Sequence, residues 1–196
     1  MKPKRTWILI VFSAMLVGIV FIAVGKNMLS IMNGFIRSMA LLGYLAVFIT
    51  SLLSMYMRQM IRIFGRPFQT IHHYFSIGGL TLLFLHGAAV AWDIRSLGAF
   101  LPSFKSFYDF FSLAGRPALW LFALTTLTAF LRKAFRKQWR QIHLLNYIAF
   151  ILGSVHGILI GTDFESLVVK ILSVLMSLAL VVAFTWKRMD RRRKTK

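Results

Sequence analysis

Cysteine is absent from the 196 residues, and acid is scarce, with five Asp and Glu against 24 Lys and Arg. The missing thiols exclude structural disulfides, thiolate ligation of iron, iron–sulfur clusters and C-x-x-C redox chemistry together. The shortage of acid leaves a formal net charge of +19, which in a soluble chain would suggest a nucleic-acid partner. A polar stretch long enough for a soluble domain is missing too. With 58% hydrophobic residues and a mean hydropathy of +0.72, an ordinary water-soluble domain is excluded. The basic residues cluster between and beyond apolar runs, so they are assigned first to membrane topology and second to anionic lipid, and not to nucleic acid.

The apolar runs predict an all-α fold, a polytopic membrane bundle of six transmembrane helices that takes up residues 1–196 as one membrane domain. The expected spans are 6–24, 38–57, 71–91, 117–131, 142–160 and 167–186. The opening MKPKR followed by an apolar run also fits a cleaved signal peptide. A retained first span is expected, because no small-x-small cleavage site closes the run before Gly25. Placing both termini in the cytoplasm puts three basic residues before the first span on that side, three after the second (Arg58, Arg62, Arg66), five in 132–140 and seven in 187–196, which is 18 of the 24. Lys26, Arg37, Arg95, Lys105, Arg116 and Lys170 fall on the other side. That bias fixes the orientation of the spans; the expected location is the cell inner (plasma) membrane, multi-pass, with both termini cytoplasmic.

The third and fifth spans hold all five histidines: His72, His73 and His86 in IHHYFSIGGLTLLFLH, and His143 and His156 in QIHLLNYIAFILGSVH. An ionisable side chain inside a membrane is costly and usually functional. His72 and His86 are 14 residues apart, about 21 Å of helix rise, and His143 and His156 are 13 apart. With six spans these two helices run in the same direction, so His72 or His73 meets His143 at the cytoplasmic level, and His86 meets His156 nearer the outer face. Neutral imidazole is an ordinary axial ligand of haem iron, and two histidines per iron leave no open position, which suits electron transfer. Two stacked, non-covalent b-type haems are therefore expected. Zinc fits poorly, since four imidazoles split between two depths cannot surround one ion. For each histidine the plain alternative is an interfacial side chain or a buried hydrogen bond. At 100° per residue, His72 and His86 fall within about 40° of one face, whereas His143 and His156 are about 140° apart. The second pair therefore needs either irregularity in the fifth span, for which Gly153 with Ser154 after it is one place, or haems approached from different sides of that helix. The same phase argument favours His72 over His73.

The run HHYFSIGGLTLLFLHG, followed by GRPALWLFALTTLTAF and WRQIHLLNYIAFILGSVHG, resembles the ferric reductase-like transmembrane domain superfamily. That superfamily includes the membrane parts of ferric reductases and NADPH oxidases, and a haem-binding membrane subunit of a bacterial periplasmic methionine sulfoxide reductase system. The resemblance covers about residues 38–186, and its strongest features are the spaced histidines and the W-x-x-[IL]-H-x-x-x-Y entry formed by Trp139, His143 and Tyr147. It implies that His72 pairs with His143 at an inner haem and His86 with His156 at an outer one. Where the family often has Arg after the first histidine and Gly four residues beyond it, this chain has His73, Ser76, Leu144 and Tyr147. The resemblance is to the membrane-only branch, so electrons would arrive from a cytoplasmic flavoprotein reductase, carrying flavin, or from quinol. They would leave to a ferric chelate, oxygen or a periplasmic redox enzyme. A rival reading is a haem-handling or structural membrane protein without redox turnover.

Haem propionates would need positive company, for which Arg58, Arg62, Arg66, Lys137 and Arg140 are inner candidates and Arg37, Arg95 and Arg116 outer ones. Phe84 and Phe150 are candidates to lie between the haems. The connector 92–116 has Phe100, Phe104, Phe107, Phe110 and Phe111 at three- or four-residue spacing, which predicts a surface helix at the outer interface. The plain alternative is ordinary interfacial anchoring by the aromatic rings; beyond that, with Trp92 and Arg95 the segment is expected to form the docking or exit surface for electrons.

Overall fold

A computed structural model describes residues 3–26, 28–64, 67–136 and 138–194, and every regular element among them is helical. The order is α1 Pro3–Lys26, α2 Ile31–Met55, α3 Met57–Phe64, α4 Pro67–Asp93, a 3-10 turn Leu97–Phe100, α5 Phe107–Ser112, α6 Gly115–Phe130, α7 Arg132–Phe135, α8 Gln138–His143, α9 Leu145–Ile160, a 3-10 turn Thr162–Glu165, and α10 Leu167–Lys194. Four stretches of the described residues are long and apolar enough to cross a membrane: Ile31–Met55, Phe68–Asp93, Gln138–Ile160 and Leu167–Met189. They match the second, third, fifth and sixth expected spans. Helix α6 has 16 residues, about 24 Å of rise against a hydrocarbon core of about 30 Å. Arg66 and Lys137, named above as propionate candidates, lie outside the described residues.

The chain forms two compact units, Met1–Thr50 with Met57–Pro102, and Ser51–Tyr56 with Ser103–Lys196. In the first unit, α2 begins seven residues before the expected boundary. The reason is a cap: Ser30 Oγ accepts from the Asn33 amide at 3.1 Å, so the helix starts at once despite the polar Asn33 and Arg37. Arg37 therefore belongs to a helix and not to a connector. It is 6% exposed, and its guanidinium donates to Asn33 Oδ1 and to the Ala23 carbonyl, both at 3.4 Å. Ala23 lies in the last turn of α1, where carbonyls have no intrahelical partner, so Arg37 caps α1. That contact gives the arginine a structural role where the charge pattern read topology or a propionate partner.

In an apolar solvent, helices associate through close packing and not through water release, which favours small residues at contacts. Helix α2 meets α4 in this way. A Cβ on Gly43 would come within 2.9 Å of Leu83, and one on Gly79 within 3.0 Å of Ala46. Helix α4 ends in a Schellman turn, with Ser96 N–H donating to the Ala91 carbonyl at 3.0 Å and Arg95 N–H to the Trp92 carbonyl at 3.3 Å. The left-handed position is held by Arg95, at φ 53°, with its guanidinium 5.4 Å from the Trp92 ring centre.

The second unit is built on α6, α9 and α10. Helix α6 buries Ala118, Phe122, Thr125 and Thr128, a stripe at helical spacing, and α9 buries Ala149, Phe150 and Ser154. Ser177 of α10 donates to Ser154 Oγ at 3.0 Å, which ties the sixth expected span to the fifth. The phenylalanine connector is less helical than its spacing predicts. Residues 101–106 carry no helix, and Ser106 caps a helix of six residues only, its Oγ accepting from Asp109 N–H at 3.0 Å.

Candidate functional site

The five histidines divide between the units: His72, His73 and His86 lie on α4, and His143 and His156 on α8 and α9. Helix α4 is unbroken from Pro67 to Asp93, so the 14-residue spacing gives the expected 21 Å of rise. His72 is half-buried and His73 exposed, their ring centres 5.8 Å apart.

His86 is half-buried, and its Nδ1 lies 3.1 Å from the Ile36 carbonyl oxygen. A carbonyl only accepts, so Nδ1 must carry the proton and the lone pair of the ring is on Nε2. Ile36 sits inside α2, where its carbonyl has a second lone pair beyond the one the helix ladder uses. The same chemistry recurs in the other unit. His156 Nδ1 lies 2.6 Å from the carbonyl oxygen of Ser112, the last residue of α5, so this ring also carries its proton on Nδ1. Opposite its flat face is Gly115, the first residue of α6, where a Cβ would meet His156 Cδ2 at 2.7 Å and Nε2 at 2.9 Å. An imidazole that donates Nδ1–H to a backbone carbonyl is oriented and made more basic at Nε2, which is the form a metal-bound histidine takes.

His143 has a different neighbour. It closes α8, and the side-chain nitrogen of Asn146 stands 3.4 Å from its Nδ1 and 3.5 Å from its Nε2. The Asn146 carbonyl oxygen accepts in turn from the hydroxyl of Thr125, which is fully buried on α6 and also has the Phe122 carbonyl at 2.9 Å. Tyr147 follows, with its hydroxyl 3.4 Å from Ser54 Oγ and its ring 5.0 Å from Phe184. Trp139 of the same entry motif lies 6.1 Å from the His143 ring.

The irregularity expected in the fifth span is present, but not at Gly153. Gly153 lies within the continuous helix α9 and faces open space. The break is at Leu144, where Leu144 N–H donates to the Gln141 carbonyl at 3.1 Å and Tyr147 N–H to the Leu144 carbonyl at 3.2 Å. These are three-residue bonds, wound at about 120° per residue with about 2.0 Å of rise. Two residues so wound reduce the mismatch between His143 and His156 from about 140° to about 100°, and lengthen their separation to about 20.5 Å.

Of the other candidates, Phe150 is fully buried in the second unit and Phe84 half-buried in the first. Phe104 and Phe107 are strongly exposed, and Phe104 stacks on Phe110 at 5.6 Å. Arg58, Arg62, Arg95 and Arg140 are exposed, whereas Arg116 is half-buried. The residues that sequence reasoning missed are Ile36, Ser112, Gly115, Thr125 and Asn146. The first two act through backbone carbonyls, which leave no sequence signal. Asn146 left one, as a lone amide three residues after a histidine in an apolar run. Among the described residues, no group of three or more His, Asp or Glu forms a metal cluster. No family model, curated protein or solved structure matches the chain.

Proposed function

We propose that this chain is a b-type dihaem membrane cytochrome that passes electrons across the inner membrane. The observation that supports it most is that His86 and His156, on different helices, both donate Nδ1–H to a backbone carbonyl and so hold Nε2 ready to bind iron. In this reading the fold has six spans with both termini cytoplasmic, α1 and α6 supplying the two spans beyond the four long apolar helices. His72 and His143 would hold an inner haem, His86 and His156 an outer one, and His73 stays at the interface. Bound in this way, haem supplies a one-electron carrier at each depth.

The chain's own residues do the rest. Ile36 and Ser112 fix the tautomers of the outer pair. Asn146, itself held by Thr125, steadies the ring of His143. Exposed Arg58, Arg62 and Arg140 give the cytoplasmic end a positive face towards a donor, either a flavoprotein reductase or quinol, with any flavin or quinone carried by that partner. Phe104, Phe107 and Trp92 mark the outer end, where a ferric chelate, oxygen or a periplasmic redox enzyme would accept.

Liposomes containing the purified protein, with dithionite trapped inside and an impermeant ferric chelate outside, test the reading. Haem-dependent reduction of the outside chelate is expected. Haem binding without transfer would favour the rival, a haem-handling or structural membrane protein.

A further inference from the structure

The elbow between α5 and α6 places two groups against one imidazole. The Ser112 carbonyl oxygen is 2.6 Å from His156 Nδ1, and Gly115 meets the ring face so closely that its missing Cβ would lie 2.7 Å from Cδ2, 2.9 Å from Nε2 and 3.0 Å from Cγ. Contacts below 3.0 Å force something to move. The ring is not a loose end that can swing away, because its Nδ1–H is tied to Ser112 and its backbone to α9. Only glycine at 115 allows both the bond and the stacking. Ser112 and Gly115 are three residues apart across a tight turn, in which Ala114 N–H donates to the Phe111 carbonyl (3.2 Å) and Arg116 N–H to the Leu113 carbonyl (3.0 Å).

We infer that Gly115 and the Ser112 carbonyl form a seat that fixes both the tautomer and the ring plane of His156. Gly115 is thus a positioning residue that acts through the ring of His156. The inference rests on the proposed role of His156 as ligand, but its geometry is a property of the chain itself. It also makes α5 part of the ligand's support, since the carbonyl belongs to the last residue of that helix.

The test uses full-length protein in nanodiscs, labelled with nitrogen-15 at histidine and prepared without haem, with the His156 signal assigned through H156Q. Wild type should show His156 protonated on Nδ1 and not on Nε2. G115A should lose that single form and give a mixture or a shifted ring signal. G153A, three residues before His156 where a Cβ meets nothing within 4 Å, should match wild type. With haem supplied, G115A should bind the outer haem about tenfold more weakly and change its reduction potential, in line with the effect of disturbing a ligand's outer support. A wild-type ring protonated on Nε2, or a G115A spectrum identical to wild type, would overturn the seat. If G115A fails to fold, the wild-type tautomer still decides. If the tautomer is as stated but no haem binds, the seat stands and the dihaem reading falls.

Discussion

Helix α4 and the α8–α9 segment each carry histidines separated by about two thirds of the hydrocarbon core, yet they achieve it differently. Helix α4 is a single helix with His72 and His86 14 positions apart, so phase and depth follow from regular geometry. The other segment has one residue fewer and breaks at Leu144, where tighter winding restores most of the missing rise and part of the missing rotation. The break falls directly after His143, and Asn146, three residues on, stands within reach of that ring. Two local solutions give nearly the same spacing, about 21 Å and about 20.5 Å. A pattern of histidines therefore constrains depth more strongly than it constrains helix regularity.

The largest expected effect comes from removing ligands on either side of the comparison. His86→Ala or His156→Ala should lose most of the outer haem, and His143→Ala most of the inner, read as haem per protein and as the surviving low-spin spectrum. On α4, His72→Ala should lower the inner haem while His73→Ala leaves it nearly intact. Equal loss from His73→Ala alone would reverse that assignment.

A smaller effect is expected at the break. Asn146→Leu should weaken inner haem binding by about tenfold and leave the outer haem unchanged, since the amide steadies His143 and lies ten residues from His156. Haem titration of the reconstituted variant checks this. Loss of both haems together would mean that Asn146 serves the packing of α6 on α9 and not the ring.

Smaller again, Ser106→Ala removes the N-cap of α5 and should cost about 1 kcal/mol in that helix. Because Ser112 closes the same short helix, the outer haem spectrum should broaden while the inner one holds. The smallest effect belongs to Arg95→Gly. Relief of the left-handed strain, about 1–2 kcal/mol, is partly offset by loss of the contact with Trp92, about 0.5–1 kcal/mol. A rise of a few degrees or less in the denaturation midpoint in detergent is expected.

Much of this was legible in the chain. Apolar runs located four long helices within a few residues, except for the start of α2, and all five histidines stood out in two of those runs. The misses have physical causes. Asn33 and Arg37 read as a connector because a cap at Ser30 and a buried guanidinium on the Ala23 carbonyl cannot be seen in hydropathy. Phenylalanine spacing suggested a longer surface helix than α5, since periodicity says nothing of where capping begins. Backbone carbonyls at Ile36 and Ser112 decide two histidine tautomers, and a backbone atom has no letter in the sequence. Gly115 fell just before the expected span 117–131, and nothing in the sequence marks its close contact with the His156 ring, which is what requires glycine there.

The central claim is that the two histidine-bearing segments together hold two haems. A pyridine haemochrome assay on wild-type protein, purified after expression with excess haem and normalised to protein by amino-acid analysis, measures that directly. The account predicts about two non-covalent b-type haems per chain. A ratio reproducibly near one, or no haem at all, would contradict it.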